Sequence, residues 1–195
     1  MEKLIRAINF AAIAHRNQRR KDGAKTPYIN HPIEVMNMLA DAGVTDIDIL
    51  CAAVLHDTIE DTDTKYWQLV TEFGTNVANI VSECSDDKSL PKVVRKQEQI
   101  KHAEMASIGA KLVKTGDKLS NLSGLDANPP VNWRKEEIDG YFIWSYHVWL
   151  MIAGCNVKLD NQLQSLFKKR GIMDMTSFEL DGALQRYYSN IVMSE

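Results

Sequence analysis

Apolar residues recur every three or four positions along most of this chain, which is the spacing of an amphipathic helix. In the first segment, Leu4, Ile5, Ile8, Ala11 and Ala12 follow this spacing. Alternation with a period of two, which is typical of strands, is not sustained beyond a few residues anywhere in the sequence. The pattern therefore predicts an all-α protein.

Helix-breaking residues divide the pattern into segments. The stretch KDGAKTPYINHP (residues 21–32) carries Gly23, Pro27 and Pro32, and it predicts a loop or short hairpin near residues 20–30. A near-continuous apolar helix follows at 42–57, with Thr45 or Asp46 as its cap. Further helices are predicted around 65–74, 76–85, from Pro91 onward, and at 107–125, 133–153 and 157–170.

No repeat, low-complexity tract or linker interrupts the chain, so residues 1–171 are expected to form one domain. Residues 172–195 are expected to be a helical C-terminal extension, since one apolar stripe runs along them. The stripe consists of Leu180, Leu184, Tyr187, Tyr188 and Ile191. A short helix is marginal on its own, so we expect it to dock on the domain. A dimer contact or a partner site is the alternative.

Composition narrows the class of protein. The 195 residues are 45% hydrophobic and 25% charged, which is ordinary for a globular domain. A net charge of −3 does not predict a nucleic-acid-binding surface. Three cysteines without a Cys-x-x-Cys pair indicate a reducing compartment rather than disulfides or a thiolate zinc site. No apolar run reaches the roughly 20 residues of a membrane span, and we expect a cytoplasmic protein.

The hexapeptide HDTIED (residues 56–61) stands at the end of the apolar helix. The C-terminus of a helix carries partial negative charge, so the carboxylates of Asp57, Glu60 and Asp61 are unfavourable there without a cation. The alternative is that the acids cap the next helix and that His56 is a core histidine. A divalent metal is the simplest cation that explains the whole cluster.

Further ligands must come from other parts of the chain. His56 and Asp57 point about 100° apart on a helix, so an ion that both contact must lie between their directions. The candidates for the remaining positions are His31 and Asp117. Imidazole and carboxylate ligands without sulfur suit Mn²⁺, Fe²⁺, Mg²⁺ or Zn²⁺ better than a soft metal.

Four stretches resemble the hydrolase domain of the RelA/SpoT-type alarmone enzymes, a branch of the HD phosphohydrolase superfamily. They are HRNQRRKDGAKTPYINHP (15–32), AAVLHDTIEDTDT (52–64), SDDKSLPK (85–92) and AKLVKTGDKLSNL (110–122). The resemblance covers about residues 4–171 and is strongest to the small stand-alone SpoT homologues of animals. It implies a single HD-superfamily helical domain that hydrolyses without synthesising, because the chain is too short for the synthetase domain.

The same resemblance assigns the metal and the catalytic groups. It implies one Mn²⁺ per chain, held by His31, His56, Asp57 and Asp117. It makes Glu60 and Asp61 the catalytic carboxylates and leaves open which is the acid and which the base.

The implied substrate is the stringent-response alarmone (p)ppGpp, a small nucleotide cleaved at its 3′-diphosphate to release pyrophosphate. Animal members also remove the 2′-phosphate of NADPH. The matching substrate-side positions are Arg20, Lys21, Lys92, Asn121, Tyr141 and Trp144. No nucleic acid or membrane partner is expected, and a homo-oligomer is left open. The rival hypotheses are a catalytically weak nucleotide-binding regulator with the same metal site and a generic HD nucleotidase.

Two departures from the family pattern bear on the site. Ser123 and Gly124 replace the usual Arg-Asp pair after Asn121-Leu122. Gly116 replaces an alanine beside Asp117, and we expect it to add backbone freedom there.

Overall fold

The computed structural model describes residues 1–194, whose regular structure is helical apart from one isolated bridge. The helices are α1 (Glu2–Ala14), α2 (Asn30–Asp41), α3 (Ile47–Leu55), α4 (Thr58–Asp61), α5 (Tyr66–Phe73), α6 (Thr75–Cys84), α7 (Lys92–Ala103), α8 (Ile108–Ala127), α9 (Lys135–Ile152), α10 (Val157–Lys169), a 3-10 turn (Ile172–Asp174) and α11 (Ser177–Ser194). The predicted all-α class is confirmed. The hairpin expected near residues 20–30 is reduced to one antiparallel bridge between Arg19 and Pro27.

Helix α3 lies at the centre and packs against α1, α2, α6 and α8. Its six consecutive residues from Leu50 to Leu55 are all buried, which explains the near-continuous apolar run. Asp46 caps its N-terminus by accepting the backbone N–H of Asp48 at 2.8 Å. The helix ends two residues earlier than predicted, at Leu55, whose carbonyl accepts the Thr58 hydroxyl at 2.7 Å.

Helices α2 and α8 approach each other closely at Gly116. A Cβ atom at this position would lie 2.4 Å from Leu39 Cδ1 and 3.1 Å from Val35 Cγ1. The structure gives Gly116 a packing role, while the expectation that it adds backbone freedom stays a prediction. The glycine removes a side chain from a tight contact, and this brings the helix that carries His31 next to the helix that carries Asp117.

His31 lies in the first turn of α2, which begins at Asn30. Proline is tolerated in a first helical turn because the N–H that it lacks has no partner within the helix there. The helix therefore begins early enough to fix the His31 backbone.

Helix α11 packs against α7 and α9. Its tyrosine ring at Tyr187 occupies the space over Gly140 of α9, where a Cβ atom would lie 2.3 Å from Tyr187 Cδ2. Leu184, Tyr188 and Ile191 are also buried. The division of the chain at residue 171 stays a prediction. Within residues 1–194, no helix has both the length and the apolar character required to cross a bilayer.

Candidate active site

Four predicted metal ligands meet in one place, although they come from three separate parts of the chain. His31 comes from α2, His56 and Asp57 from the junction of α3 and α4, and Asp117 from the middle of α8. The His31 Nε2 atom lies 3.1 Å from Asp117 Oδ1, and the His56 Nε2 atom lies 3.1 Å from Asp57 Oδ2. Ligand atoms of His31, His56 and Asp117 all lie within 4.8 Å of one another.

His56 has the charge environment of a metal ligand. Its Nδ1 atom lies 2.8 Å from the carbonyl oxygen of Ala53, which can only accept, so Nδ1 carries the proton. The buried Nε2 atom has no hydrogen-bond partner and faces the carboxylates of Asp57 and Asp117 at 3.1 and 3.7 Å. In the neutral ring this nitrogen presents a lone pair to two anions, and a proton on Nε2 or a metal cation between the three groups relieves that repulsion.

The pKa values in the cluster point the same way. Burial opposes the charged form of His56, yet Asp57 and Asp117 outweigh burial and raise its pKa well above the usual range. Burial likewise opposes the ionised form of Asp117, but the neighbouring Lys118 and His31 hold its pKa well below the usual range. The site is therefore built for two carboxylates and an added positive charge, and the residues fit a divalent ion.

The side chains of Tyr28, Lys118 and Asn121 hold the carboxylates of Asp57 and Asp117 in place. The sequence predicted a substrate contact for Asn121 and no role for the other two. The Tyr28 hydroxyl donates to Asp57 Oδ2 at 2.6 Å, and burial followed by the Asp57 charge raises the pKa of this phenol. Asn121 donates to Asp117 Oδ1 at 2.6 Å, and Lys118 donates to Asp117 Oδ2 at 2.9 Å. Tyr28 lies in the turn before α2, and no periodicity in the sequence marks it as a partner of Asp57.

Glu60 and Asp61 lie beside the metal ligands on the one-turn helix α4. Glu60 Oε2 accepts the backbone N–H of Asp86 at 2.9 Å, while burial raises the pKa of its carboxyl to about 7. The Asp61 carboxylate is paired with Lys88, and the backbone carbonyl of Asp61 accepts a hydrogen bond from Gln18 Nε2 at 2.5 Å. The two neighbouring acids thus have different surroundings.

These groups line a cavity of about 230 Å³ together with five basic residues. Two of the basic residues approach acids of the same lining, Lys118 at Asp117 and Arg95 at Glu60. The five, which we call the basic wall, are Lys92, Arg95, Lys96, Lys114 and Lys118. Such a wall suits a substrate with several phosphate charges.

Trp144 lies between two of these lysines and is only 1% exposed. Lys96 Nζ lies 3.2 Å from the centroid of its ring, and Lys118 Nζ lies 4.6 Å away. Burial and the nearby Lys118 charge lower the pKa of Lys96 well below its usual range. The contacts of Trp144 are thus with the basic wall, and its predicted contact with substrate stays a prediction.

A second cavity of about 450 Å³ adjoins the first and shares Tyr28, His31, Asn121 and Tyr141 with it. The loop residues Arg19, Arg20 and Lys21 line one side of this cavity, and Gly124, Trp133 and Tyr141 also line it. The rings of Trp133 and Tyr141 are 5.8 Å apart. Trp133 could not be predicted as a site residue, because nothing in NPPVNW distinguishes it from an ordinary aromatic residue of a loop.

Arg20 links the two cavities. Both terminal nitrogens of its guanidinium donate to Asn121 Oδ1 at 3.3 Å, and Asn121 in turn donates to Asp117. Of the predicted substrate-side residues, Arg20 and Lys21 line the second cavity, Lys92 and Trp144 the first, and Asn121 and Tyr141 both. Their contacts with substrate stay predictions.

The remaining histidines lie apart from the ligand cluster. His15 is buried at the C-terminal cap of α1 with Nδ1 2.6 Å from Gln18 Oε1, and the Gln18 amide donates to the Asp61 backbone carbonyl. The exposed His102 pairs with Glu98, and the Nδ1 atom of His147 lies 2.9 Å from the Ile143 carbonyl.

Comparison with known proteins adds an independent line of argument. The family model described as HD domain matches residues 7–142. The human guanosine-3′,5′-bis(diphosphate) 3′-pyrophosphohydrolase MESH1 is 48% identical over 171 residues, which cover 87% of this chain and 96% of that protein. The zebrafish (Danio rerio) protein of the same name is 47% identical over 170 residues, covering 87% and 94%.

A solved structure gives the same result for the fold. It is described as a metazoan orthologue of SpoT that hydrolyses ppGpp and plays a role in starvation responses. It is 43% identical to this chain, covers 88% of it and 97% of the solved chain, and superimposes with a TM-score of 0.86.

Proposed function

The chain belongs to the HD-domain family, and from that premise we propose that it is a metal-dependent hydrolase of (p)ppGpp that releases pyrophosphate from the 3′ position. Its relatives at 43–48% identity carry this activity in their names and are matched over 94–97% of their length. Independently of any name, the convergence of two histidines and two aspartates beside a cavity with basic residues fits phosphate-ester hydrolysis.

The observation that carries the proposal is the unpartnered Nε2 atom of His56, aimed at two carboxylates beside a cavity with a basic wall. A cation at that point satisfies the imidazole lone pair and both anions together. A polyanionic substrate then fits the remaining space, because basic side chains line it.

We propose Mn²⁺ as the metal, one per chain, with His31, His56, Asp57 and Asp117 as its ligands. Two imidazoles and two carboxylates form a ligand set of intermediate hardness. Cys84 also lines the cavity, but burial raises the pKa of its thiol and so disfavours the thiolate. When bound, the ion lowers the pKa of water and polarises a phosphoryl oxygen.

The basic wall is proposed to hold the 3′-diphosphate, and the second cavity the nucleoside. Lys92, Lys96 and Lys118 can contact phosphate oxygens in the first cavity. In the second cavity the Trp133 and Tyr141 rings offer flat faces to a base, while Arg20 and Lys21 stand at the rim for the 5′-phosphates.

Glu60 and Asp61 are proposed to divide the proton transfers. Because its pKa is raised to about 7, Glu60 can hold a proton near neutrality and give it to the ribose oxygen that leaves. Asp61, held by Lys88, remains as the acceptor that orients the attacking water. Asp57 and Asp117 are excluded from this role because they serve as ligands.

Removal of the 2′-phosphate of NADPH is a second candidate activity. It requires the same chemistry, a phosphate on a ribose oxygen, and the second cavity of about 450 Å³ with its aromatic pair offers space for a dinucleotide to extend.

The test is an assay of both phosphate and pyrophosphate release by the metal-loaded protein with guanosine tetraphosphate, NADPH and a deoxynucleoside triphosphate side by side. We expect pyrophosphate from guanosine tetraphosphate. Release from the deoxynucleotide alone would support the generic nucleotidase. Tight binding of guanosine tetraphosphate without turnover would support the regulator.

A further inference from the structure

A chain of hydrogen bonds reaches His31 from the side away from the proposed metal. The Ser120 hydroxyl donates to Glu34 Oε2 at 2.7 Å, and the same Ser120 oxygen lies 2.9 Å from His31 Nδ1. Ser120 is 1% exposed and His31 is 2% exposed, so water has little access to the inner part of this chain.

The directions of these bonds are fixed by donor and acceptor counting. An ionised carboxylate can only accept, so the single hydroxyl proton of Ser120 goes to Glu34. The Ser120 oxygen is then left as an acceptor, and His31 must supply the proton from Nδ1. In the neutral ring with this Nδ1 proton, Nε2 is the bare nitrogen and lies 3.8 Å from Asp57 Oδ2. It also lies 3.1 Å from Asp117 Oδ1, a contact that the opposite tautomer would make as a hydrogen bond from Nε2.

We propose that Glu34 is a positioning residue that, through Ser120, selects the His31 tautomer able to bind a metal. Without an acceptor at position 34, the Ser120 hydroxyl is free to donate to Nδ1. His31 then carries its proton on Nε2 and donates it to Asp117, which blocks the ligand position. The inference rests on the metal site proposed above.

Glu34 is well placed for this role at little structural cost. It is exposed at the rim of the second cavity, so its substitution leaves the apolar core untouched. Groups that support a metal-bound histidine typically change metal affinity by about 10- to 100-fold when they are removed.

The primary experiment measures Mn²⁺ affinity by chelator competition in the wild-type protein, Glu34→Ala, Ser120→Ala and the double variant. We expect each of the three variants to bind Mn²⁺ about 10-fold or more weakly. Because the hydrogen-bond chain acts as one unit, the double variant should lose no more Mn²⁺ affinity than Ser120→Ala alone. If Glu34 and Ser120 act independently, the fold-losses of the two single variants multiply in the double variant, and that result would overturn the proposal.

Two further variants separate the hydrogen bond from the charge. Glu34→Gln removes the charge but keeps an acceptor for Ser120, so it should lose less affinity than Glu34→Ala. Asp41→Ala removes another carboxylate of the same helix, one that accepts a hydrogen bond from Asn37 and has no contact with Ser120. This variant should bind Mn²⁺ with the affinity of the wild type. Equal losses in Glu34→Gln, Asp41→Ala and Glu34→Ala would assign the effect to charge alone and overturn the proposal.

A spectroscopic readout reports the tautomer directly. In ¹⁵N-edited spectra of the metal-free protein at about pH 9, above the usual histidine pKa of about 6.5, we expect the His31 proton on Nδ1. In Glu34→Ala it should move to Nε2. The same tautomer in both proteins would contradict the inference while leaving the hydrolase proposal intact, whereas a wild-type protein that binds no Mn²⁺ would overturn the metal site itself.

Discussion

The two adjoining cavities differ in how firmly their side chains are held. In the first, both imidazoles are at most 4% exposed, and the Asp57 and Asp117 carboxylates accept bonds from neighbours at 2.6–2.9 Å. In the second, Arg19 and Lys21 are exposed on a loop that has a single bridge for regular structure. We therefore expect the exact position of side chains in the first cavity to determine the rate of hydrolysis. In the second cavity we expect charge and aromatic ring faces to determine the affinity for substrate.

This contrast has a physical reason. Metal binding and proton transfer depend on atoms placed within a few tenths of an ångström, which requires packed helices and satisfied hydrogen bonds. Attraction of a polyanion depends on long-range charge and tolerates a mobile loop. Substitutions in the first cavity should therefore change metal content or kcat, and substitutions in the second should change KM.

The largest effect is expected from removing a metal ligand. His56→Ala and Asp117→Ala should lose nearly all bound Mn²⁺ in elemental analysis, because each leaves a buried, incomplete ligand set. His102→Ala, which changes an exposed histidine on α7, should retain full metal content. Full metal in the ligand variants would remove the first cavity from the metal assignment.

The acids of α4 should act on the chemical step and not on metal retention. Glu60→Gln and Asp61→Asn should lower kcat by about 10²-fold or more, the scale of general acid–base catalysis. Glu98→Gln on the surface of α7 serves as the control. Normal turnover in both variants would move the catalytic role elsewhere.

The pH profile tests which of the two acids is the proton donor. Glu60 has its pKa raised to about 7, so it is protonated below that pH and loses its proton above it. A donor must be protonated, and kcat in the wild type should therefore fall as pH rises through about 7. In Glu60→Gln this descending limb should be absent. A limb that persists there belongs to another group.

Smaller effects are expected in the second cavity. Lys21→Ala should raise KM by about 10-fold, equivalent to about 1.4 kcal/mol of binding, with little change in kcat. The effect should shrink at high salt because the contact is exposed. Lys168→Ala, an exposed lysine on α10, is the matched control. An unchanged KM would show that Lys21 belongs to an ordinary solvated surface and does not contact substrate.

The smallest effect on turnover is expected from the tail. Truncation after Met173 should leave kcat within a few-fold but lower the thermal midpoint. Each large side chain that α11 buries, such as Tyr187, contributes about 1.5–3 kcal/mol. A loss of activity in a truncated protein that remains folded would show that α11 acts on the site and would weaken the contrast between the cavities.

Local signals in the sequence were sufficient for the helices and for the family. Periodicity of 3.6 residues and a cap at Thr45 or Asp46 are short-range features, and in the structure Asp46 caps α3. The ligand residue types could also be read locally, because a carboxylate cluster after an apolar run needs a cation. Their joint site, however, followed from the resemblance and not from spacing.

Only the tertiary structure decided the contacts between residues that are far apart in the chain. Glu34, Ser120 and His31 form one hydrogen-bond chain across 86 and 89 positions of sequence, and no periodicity encodes that. Gly116 looked like local flexibility, yet it is a contact surface for Leu39, since a missing side chain has meaning only against its neighbour. The sequence by itself determined which groups are available for chemistry, while packing decided which proton each of them holds, because hydrogen-bond partners and burial are properties of the folded chain.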